Sequence, residues 1–109
     1  MRIGVDIIDV KRIKKMIKNK SFLNKVYTDK EIAYCMPKVN KAQHFAVRFA
    51  SKEAVWKALQ RKDIWHKDIG ILNMQGGKPV VTIKGKVKKN IDISLSHTNE
   101  YAVAVALVR

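Results

Sequence analysis

The chain has 109 residues, enough for one hydrophobic core and too few for two. Apolar residues make up 47% and charged residues 29%, an ordinary globular balance. Twenty-three Lys and Arg against nine Asp and Glu leave a net charge of +14. Such a chain attracts anions: nucleic acid, an acidic protein, an anionic membrane surface or a phosphate-rich small molecule.

At the start, RIGVDIID (2–9) is short and rich in Ile and Val, which predicts a buried strand. Asp6 and Asp9 interrupt the apolar run, so no signal peptide is expected. Asp9 is placed to cap a following helix, in which Val10, Ile13 and Ile17 form one apolar stripe. Lys11, Arg12, Lys14, Lys15 and Lys18 cover the remaining surface of that helix. Thr28 and Glu31 have capping-box spacing, and Pro37 ends the short helix they open. The single cysteine, Cys35, fits a reducing cytosol and is expected as a half-buried small hydrophobe.

A long helix is predicted from about Asn40 to about Leu59. Phe45, Phe49, Lys52 and Trp56 fall along one line of it, the core face, with Lys52 expected to snorkel out to water. Ala46, Ala50, Glu53 and Lys57 fall along the next line. Small side chains there let a neighbouring backbone come close, and Glu53 and Lys57 project into that tight region. The plain alternative is a solvated Glu53–Lys57 pair one turn apart, worth a few tenths of a kcal/mol.

Beyond residue 68 the pattern changes to strands: DIGILNM, PVVTIK, IDISLSH and YAVAVALV, with turns at Gly76-Gly77 and Thr98-Asn99-Glu100. Helices first and strands later predict an α+β domain, helices packed on an antiparallel sheet that the first strand joins. Both faces of YAVAVALV are apolar, so both are expected to be covered, by a second subunit or by burial within one chain. This run is the longest apolar one, and it falls well short of the ~20 residues a membrane helix needs.

Asp6 lies inside an apolar strand, where a carboxylate is exposed, paired or bound to a cation. Its candidate partners are a basic side chain or a metal shared with Glu53. Two carboxylates about 4 Å apart repel by ~4 kcal/mol at an effective dielectric of 20. Mg²⁺ removes that penalty, since it commonly takes one or two carboxylates together with water and substrate phosphate.

Four motifs recur in order along nearly the whole chain. Gly4, Asp6, Arg12 and Ile13 fit G-x-D followed after five residues by R-I. Arg48 to Ala54, with Lys57 and Ala58, fit R-F-A-x-K-E-A followed by K-A. Gly77, Lys78 and Pro79 fit a G-K-P turn, and Ser94, Ser96, His97, Thr98, Tyr101 and Ala102 fit S-x-[ST]-H-[ST]-x-x-Y-A. Together they resemble the holo-acyl-carrier-protein synthases, the small bacterial type of 4'-phosphopantetheinyl transferase. The resemblance implies the 4'-phosphopantetheinyl transferase fold, assembled as a cytoplasmic homotrimer with sites between subunits. It implies Mg²⁺-dependent transfer of 4'-phosphopantetheine from coenzyme A to a serine of the acidic acyl carrier protein, releasing adenosine 3',5'-bisphosphate.

By that resemblance Asp6 and Glu53 hold Mg²⁺, and Lys57 balances charge at the diphosphate as the third catalytic residue. Arg48, His97 and Thr98 contact phosphate, and Gly77, Lys78 and Pro79 lie near the adenine. Arg12 and Lys15, with neighbouring lysines, dock the carrier. The family's G-T-G loop after K-A is missing, since the chain reads LQRKDIWHKDIG there, and no site residue is assigned between 60 and 69. The rival reading is a basic nucleic-acid-binding domain. Against it, aromatic residues are only 7%, and Tyr27, Tyr34 and Tyr101 are scattered rather than stepped as a base-stacking platform.

Overall fold

A computed structural model describes residues 1–73 and 77–109. Strand β1 (Arg2–Asp9) pairs antiparallel with β6 (Tyr101–Val108), which also pairs antiparallel with β5 (Ile91–His97). A second antiparallel sheet is made of β2 (Ile69–Asn73), β3 (Pro79–Ile83) and β4 (Lys86–Val87). Helices α1 (Val10–Met16), α2 (Lys20–Val26) and α3 (Asp29–Cys35) lead from β1 to the 19-residue helix α4 (Lys41–Leu59), which packs across β1 and β6. The expected α+β architecture is therefore present, with two three-stranded sheets rather than one.

Local chemistry sets the short helices. An Asp9 side-chain oxygen accepts the Lys11 N–H at 2.8 Å and opens α1. Thr28 and Glu31 form the expected capping box, with reciprocal bonds of 2.8 and 3.2 Å. Helix α2 has no counterpart among the sequence expectations. It begins because the Asn19 side chain accepts from the Ser21 and Phe22 N–H groups. Cys35 is fully buried rather than half-buried. Of the expected Gly76-Gly77 turn, Gly76 lies outside the described residues, and Gly77 precedes β3 with φ +82°.

Helix α4 and the first sheet close on small residues. Ala46, Ala50, Ala54 and Ala58 recur every fourth residue along one buried row, and Ala102, Ala104 and Ala106 are buried on β6. At the closest point a Cβ on Gly4 would lie 1.9 Å from the Ala54 carbonyl oxygen and 2.8 Å from the Ala58 nitrogen. The tight seam thus runs along the row Ala46–Ala58, and Glu53 and Lys57 stand one residue to its side.

Two further expectations are overturned. Lys52 does not snorkel: it is wholly buried, with Nζ 2.6 Å from a Glu31 carboxylate oxygen. The same ammonium donates to the His66 carbonyl at 3.0 Å and to the Ile69 carbonyl. Glu31 in turn accepts the Ile71 N–H at 2.9 Å. Residues 66–71 and α3 cover this face of α4, and Glu31 supplies the countercharge that makes burial tolerable.

The first strand is not buried on both faces. Gly4 and Ile8 are buried on the side that meets α4, while Ile3, Val5 and Ile7 are exposed at 67%, 54% and 65%. In the ladder these three stand opposite Leu107, Val105 and Val103 of β6. Tyr101 and Val105 are exposed as well, so the last strand is not covered on both faces within one chain.

Candidate active site

The seam between β1 and α4 positions the acidic residues. Asp6 follows Gly4 by two residues and shares its side of the strand, and Glu53 and Lys57 lie one helical turn apart on α4. Lys57 Nζ is 3.3 Å from an Asp6 carboxylate oxygen and 3.1 Å from the Val5 carbonyl oxygen. Burial pushes the Asp6 carboxyl above the usual carboxylate range, and the Lys57 hydrogen bond and charge oppose the rise. The Glu53 charge adds to it, so the two carboxylates lie in one another's field.

Glu53 makes its own contact: one carboxylate oxygen accepts from His66 Nε2 at 2.5 Å. The expected alternative, a Glu53–Lys57 pair, gives way to Lys57 with Asp6 and Glu53 with His66. The His66 ring stacks on Phe49, with centroids 5.4 Å apart and planes 18° apart, and meets Trp65 edge-on at 4.6 Å. Residues 60–69, left without an assignment by sequence, thus contribute a side chain to the site. Nothing in the motif pattern marked it.

Apart from this cluster, on another face of α4, lies a cavity of about 200 Å³ lined by Gln43, His44, Arg48, Asn73, Gly77 and His97 among others. Three of the expected substrate contacts, Arg48, Gly77 and His97, therefore meet at one place. Arg48 is buried, donates to the His44 carbonyl at 3.2 Å and lies 4.6 Å from the centre of the Tyr34 ring. Its Nε has no hydrogen-bond partner among the described residues. A buried cationic group with a spare donor suits an anionic ligand.

Desolvation lowers His44 below the usual imidazole value, and the charges of Arg48, Lys38 and His97 lower it further. His44 was not anticipated, although its spacing four residues before Arg48 puts both on one face.

The other expected contacts are placed differently. Lys78 is exposed and Pro79 opens β3, and neither lines the cavity. The Thr98 hydroxyl accepts from the Glu100 and Tyr101 N–H groups at 3.1 and 3.0 Å, so it shapes the turn between β5 and β6. Gln43 ties that turn to α4 by donating to Asn99 at 3.0 Å.

Arg12 and Lys15 are exposed on α1. Beside them a groove of about 670 Å³ has Lys11, Lys14 and Lys18 on its rim and Ile17, Leu23 and Met36 among its apolar walls. Arg12 and Lys15 do not line the groove itself.

Among the described residues no three His, Cys, Asp or Glu side chains gather into a protein-only metal cage. Asp6 and Glu53 instead offer two hard oxygen donors in a shared field, a set that suits a partly hydrated Mg²⁺. No helix among the described residues is long and apolar enough to cross a membrane.

The fold agrees with that of known proteins. The family model of the 4'-phosphopantetheinyl transferase superfamily matches residues 2–106, and the chain belongs to that superfamily of enzymes. Within it, the chain is similar to a holo-[acyl-carrier-protein] synthase of Thermodesulfovibrio yellowstonii. That protein is 47% identical over 109 residues, spanning 97% of this chain and 96% of its own.

A Bacillus anthracis holo-(acyl-carrier-protein) synthase, solved in complex with CoA (3',5'-ADP), superposes with a TM-score of 0.84 at 31% identity. The match covers 98% of this chain and 94% of that one. The Helicobacter pylori holo-[acyl-carrier-protein] synthase in complex with coenzyme A gives 0.83 at 31% identity, covering 98% and 99%.

Proposed function

We propose that this chain transfers 4'-phosphopantetheine from coenzyme A to a serine of apo-acyl carrier protein, with Mg²⁺, releasing adenosine 3',5'-bisphosphate. The observation that carries the reading is the contact of Lys57 with Asp6 at the β1–α4 seam, with Glu53 one helical turn before Lys57 and its charge felt at Asp6. The names of the relatives and the coenzyme A held by two structural neighbours support it.

The serine oxygen of the carrier bonds to the phosphorus that bears the pantetheine, and the bond from that phosphorus to its bridging oxygen breaks. The nucleophile belongs to the partner, so the chain needs only to position groups and neutralise charge. Asp6 and Glu53 would hold Mg²⁺, which when bound would polarise the diphosphate oxygens and offset charge on the leaving group. Lys57 keeps the Asp6 carboxylate in place and adds a positive charge beside the diphosphate. Arg48 and His97 offer donors to the nucleotide phosphates, with Gly77 at the same cavity. The serine proton passes to Glu53 or to a water beside it.

The net charge of +14 suits both anionic reactants, and the lysine-rimmed groove and exposed Arg12 and Lys15 of α1 form the docking face for the acidic carrier. The apolar band of Ile3, Val5, Ile7, Tyr101 and Val105 is the contact of a homotrimer. Sedimentation equilibrium giving a monomer at micromolar concentration would remove that assembly from the account.

The test of the activity is mass spectrometry of apo-acyl carrier protein incubated with the chain, coenzyme A and Mg²⁺. A gain of one phosphopantetheine that needs the metal and disappears in Glu53→Ala is expected. An unmodified carrier under every divalent metal tried overturns the reading.

A further inference from the structure

We propose that His66 is a positioning residue that sets the orientation of Glu53 for the divalent ion, an inference that rests on the metal role proposed for Glu53. Four observations converge on its ring. Its Nε2 donates to Glu53 Oε2 at 2.5 Å, so one carboxylate oxygen is held by the ring. Phe49 stacks on one face of the ring at 5.4 Å, and Trp65 meets it edge-on at 4.6 Å. The His66 backbone is anchored as well, because its carbonyl accepts from the buried ammonium of Lys52 at 3.0 Å. Finally, the imidazole is largely shielded from water, with the side chain 10% exposed.

A glutamate on a helix has three side-chain torsions to fix before one of its oxygens is placed for a metal. A donor fixed by packing on two sides and by its own backbone removes most of that freedom in advance. Partners that orient a ligating group in this way typically govern metal affinity by ten-fold or more. The arrangement also links the site to the core. The Glu31–Lys52 ion pair holds the His66 backbone, His66 holds Glu53, and Glu53 faces the ion.

Two substitutions separate orientation from packing. His66→Phe keeps an aromatic ring for Phe49 and Trp65 but has no donor, whereas His66→Gln keeps a donor and loses the ring. Binding of Mn²⁺ alone to the purified full chain, followed by the electron paramagnetic resonance signal of the free ion, reads ion affinity without turnover. Glu53→Gln is the reference, and thermal melting without metal accompanies each protein.

The expected result is that Glu53→Gln abolishes binding, His66→Phe weakens it about ten-fold, and His66→Gln stays within about three-fold of the parent. Parent-like Mn²⁺ affinity in His66→Phe, with Glu53→Gln inactive in binding, overturns the role of His66 alone. Equal losses in His66→Phe and His66→Gln also overturn it, since ring packing rather than the hydrogen bond would then be at work. A parent chain that binds Mn²⁺ no better than Glu53→Gln overturns the metal reading itself, and the role of His66 with it.

Discussion

Gly4 of β1 and Ala54 of α4 touch backbone to backbone: a Cβ on Gly4 would fall 1.9 Å from the Ala54 carbonyl oxygen. Both obstructing atoms, the Ala54 oxygen and the Ala58 nitrogen, belong to a helix main chain that has no rotamer to yield. Gly4→Ala must therefore push strand and helix apart. A loss of about 3 kcal/mol in urea unfolding is expected, at the upper end of the usual cost of overpacking. The same displacement carries Asp6 away from Glu53, so transfer activity should fall by more than the unfolded fraction explains.

The Lys52–Glu31 pair predicts an asymmetry. Lys52→Met leaves the Glu31 carboxylate buried without its cation, and about 3–5 kcal/mol of stability should be lost. Adding Glu31→Gln removes the second charge while a side-chain carbonyl remains to accept the Ile71 N–H. The double variant should recover part of the loss in chemical denaturation. A double variant less stable than Lys52→Met would mean that the pair contributes through something other than compensated charge.

Much of this architecture is legible in the amino-acid sequence because it is written in local terms. Thr28 with Glu31, Asp9 before Val10, and the alternation of Tyr101 to Val108 need only near neighbours, and each forms as expected. Lys52 is the opposite case. The wheel puts it on the core face, but the decision between snorkelling and burial depends on Glu31, read locally as only a capping residue. His66 is hidden for a similar reason, since its short 3-10 turn carries no periodic signal and its partner lies 13 residues away. Asp6 and Glu53 are suggestive singly; their proximity depends on the glycine–alanine seam, which only the fold reveals.

Gln60 ends α4 in the left-handed region, with φ 52° and ψ 38°, where a side chain is strained and glycine is at ease. The family's glycine-rich loop begins just after this helix, and here glutamine takes the turn instead. Gln60→Gly should stabilise the chain by about 1 kcal/mol, read as a raised denaturant midpoint with unchanged slope. A destabilised variant would show that the Gln60 side chain makes a contribution larger than the backbone strain.

His44 supplies the pH dependence. Its folded value is lowered, by desolvation first and then by the charges of Arg48, Lys38 and His97. The unfolded chain thus takes up this proton before the folded one as pH falls. Stability from this group is present above the usual imidazole value and is lost as pH drops through the lowered one. Adenosine 3',5'-bisphosphate in the adjoining cavity would offset the neighbouring cations and raise His44. Imidazole NMR titration should show a low value for the free protein and an upward shift with the nucleotide. No movement on saturation would remove His44 from the nucleotide site.

The most direct test of the central claim, that Asp6 and Glu53 serve one divalent ion, is a crystal structure of the chain with adenosine 3',5'-bisphosphate and Mg²⁺. The predicted result is a single ion with one oxygen from each carboxylate at about 2.1 Å, and water and phosphate completing an octahedron. A nucleotide bound in the cavity with the two carboxylates on separate ions, or with neither touching one, would contradict it.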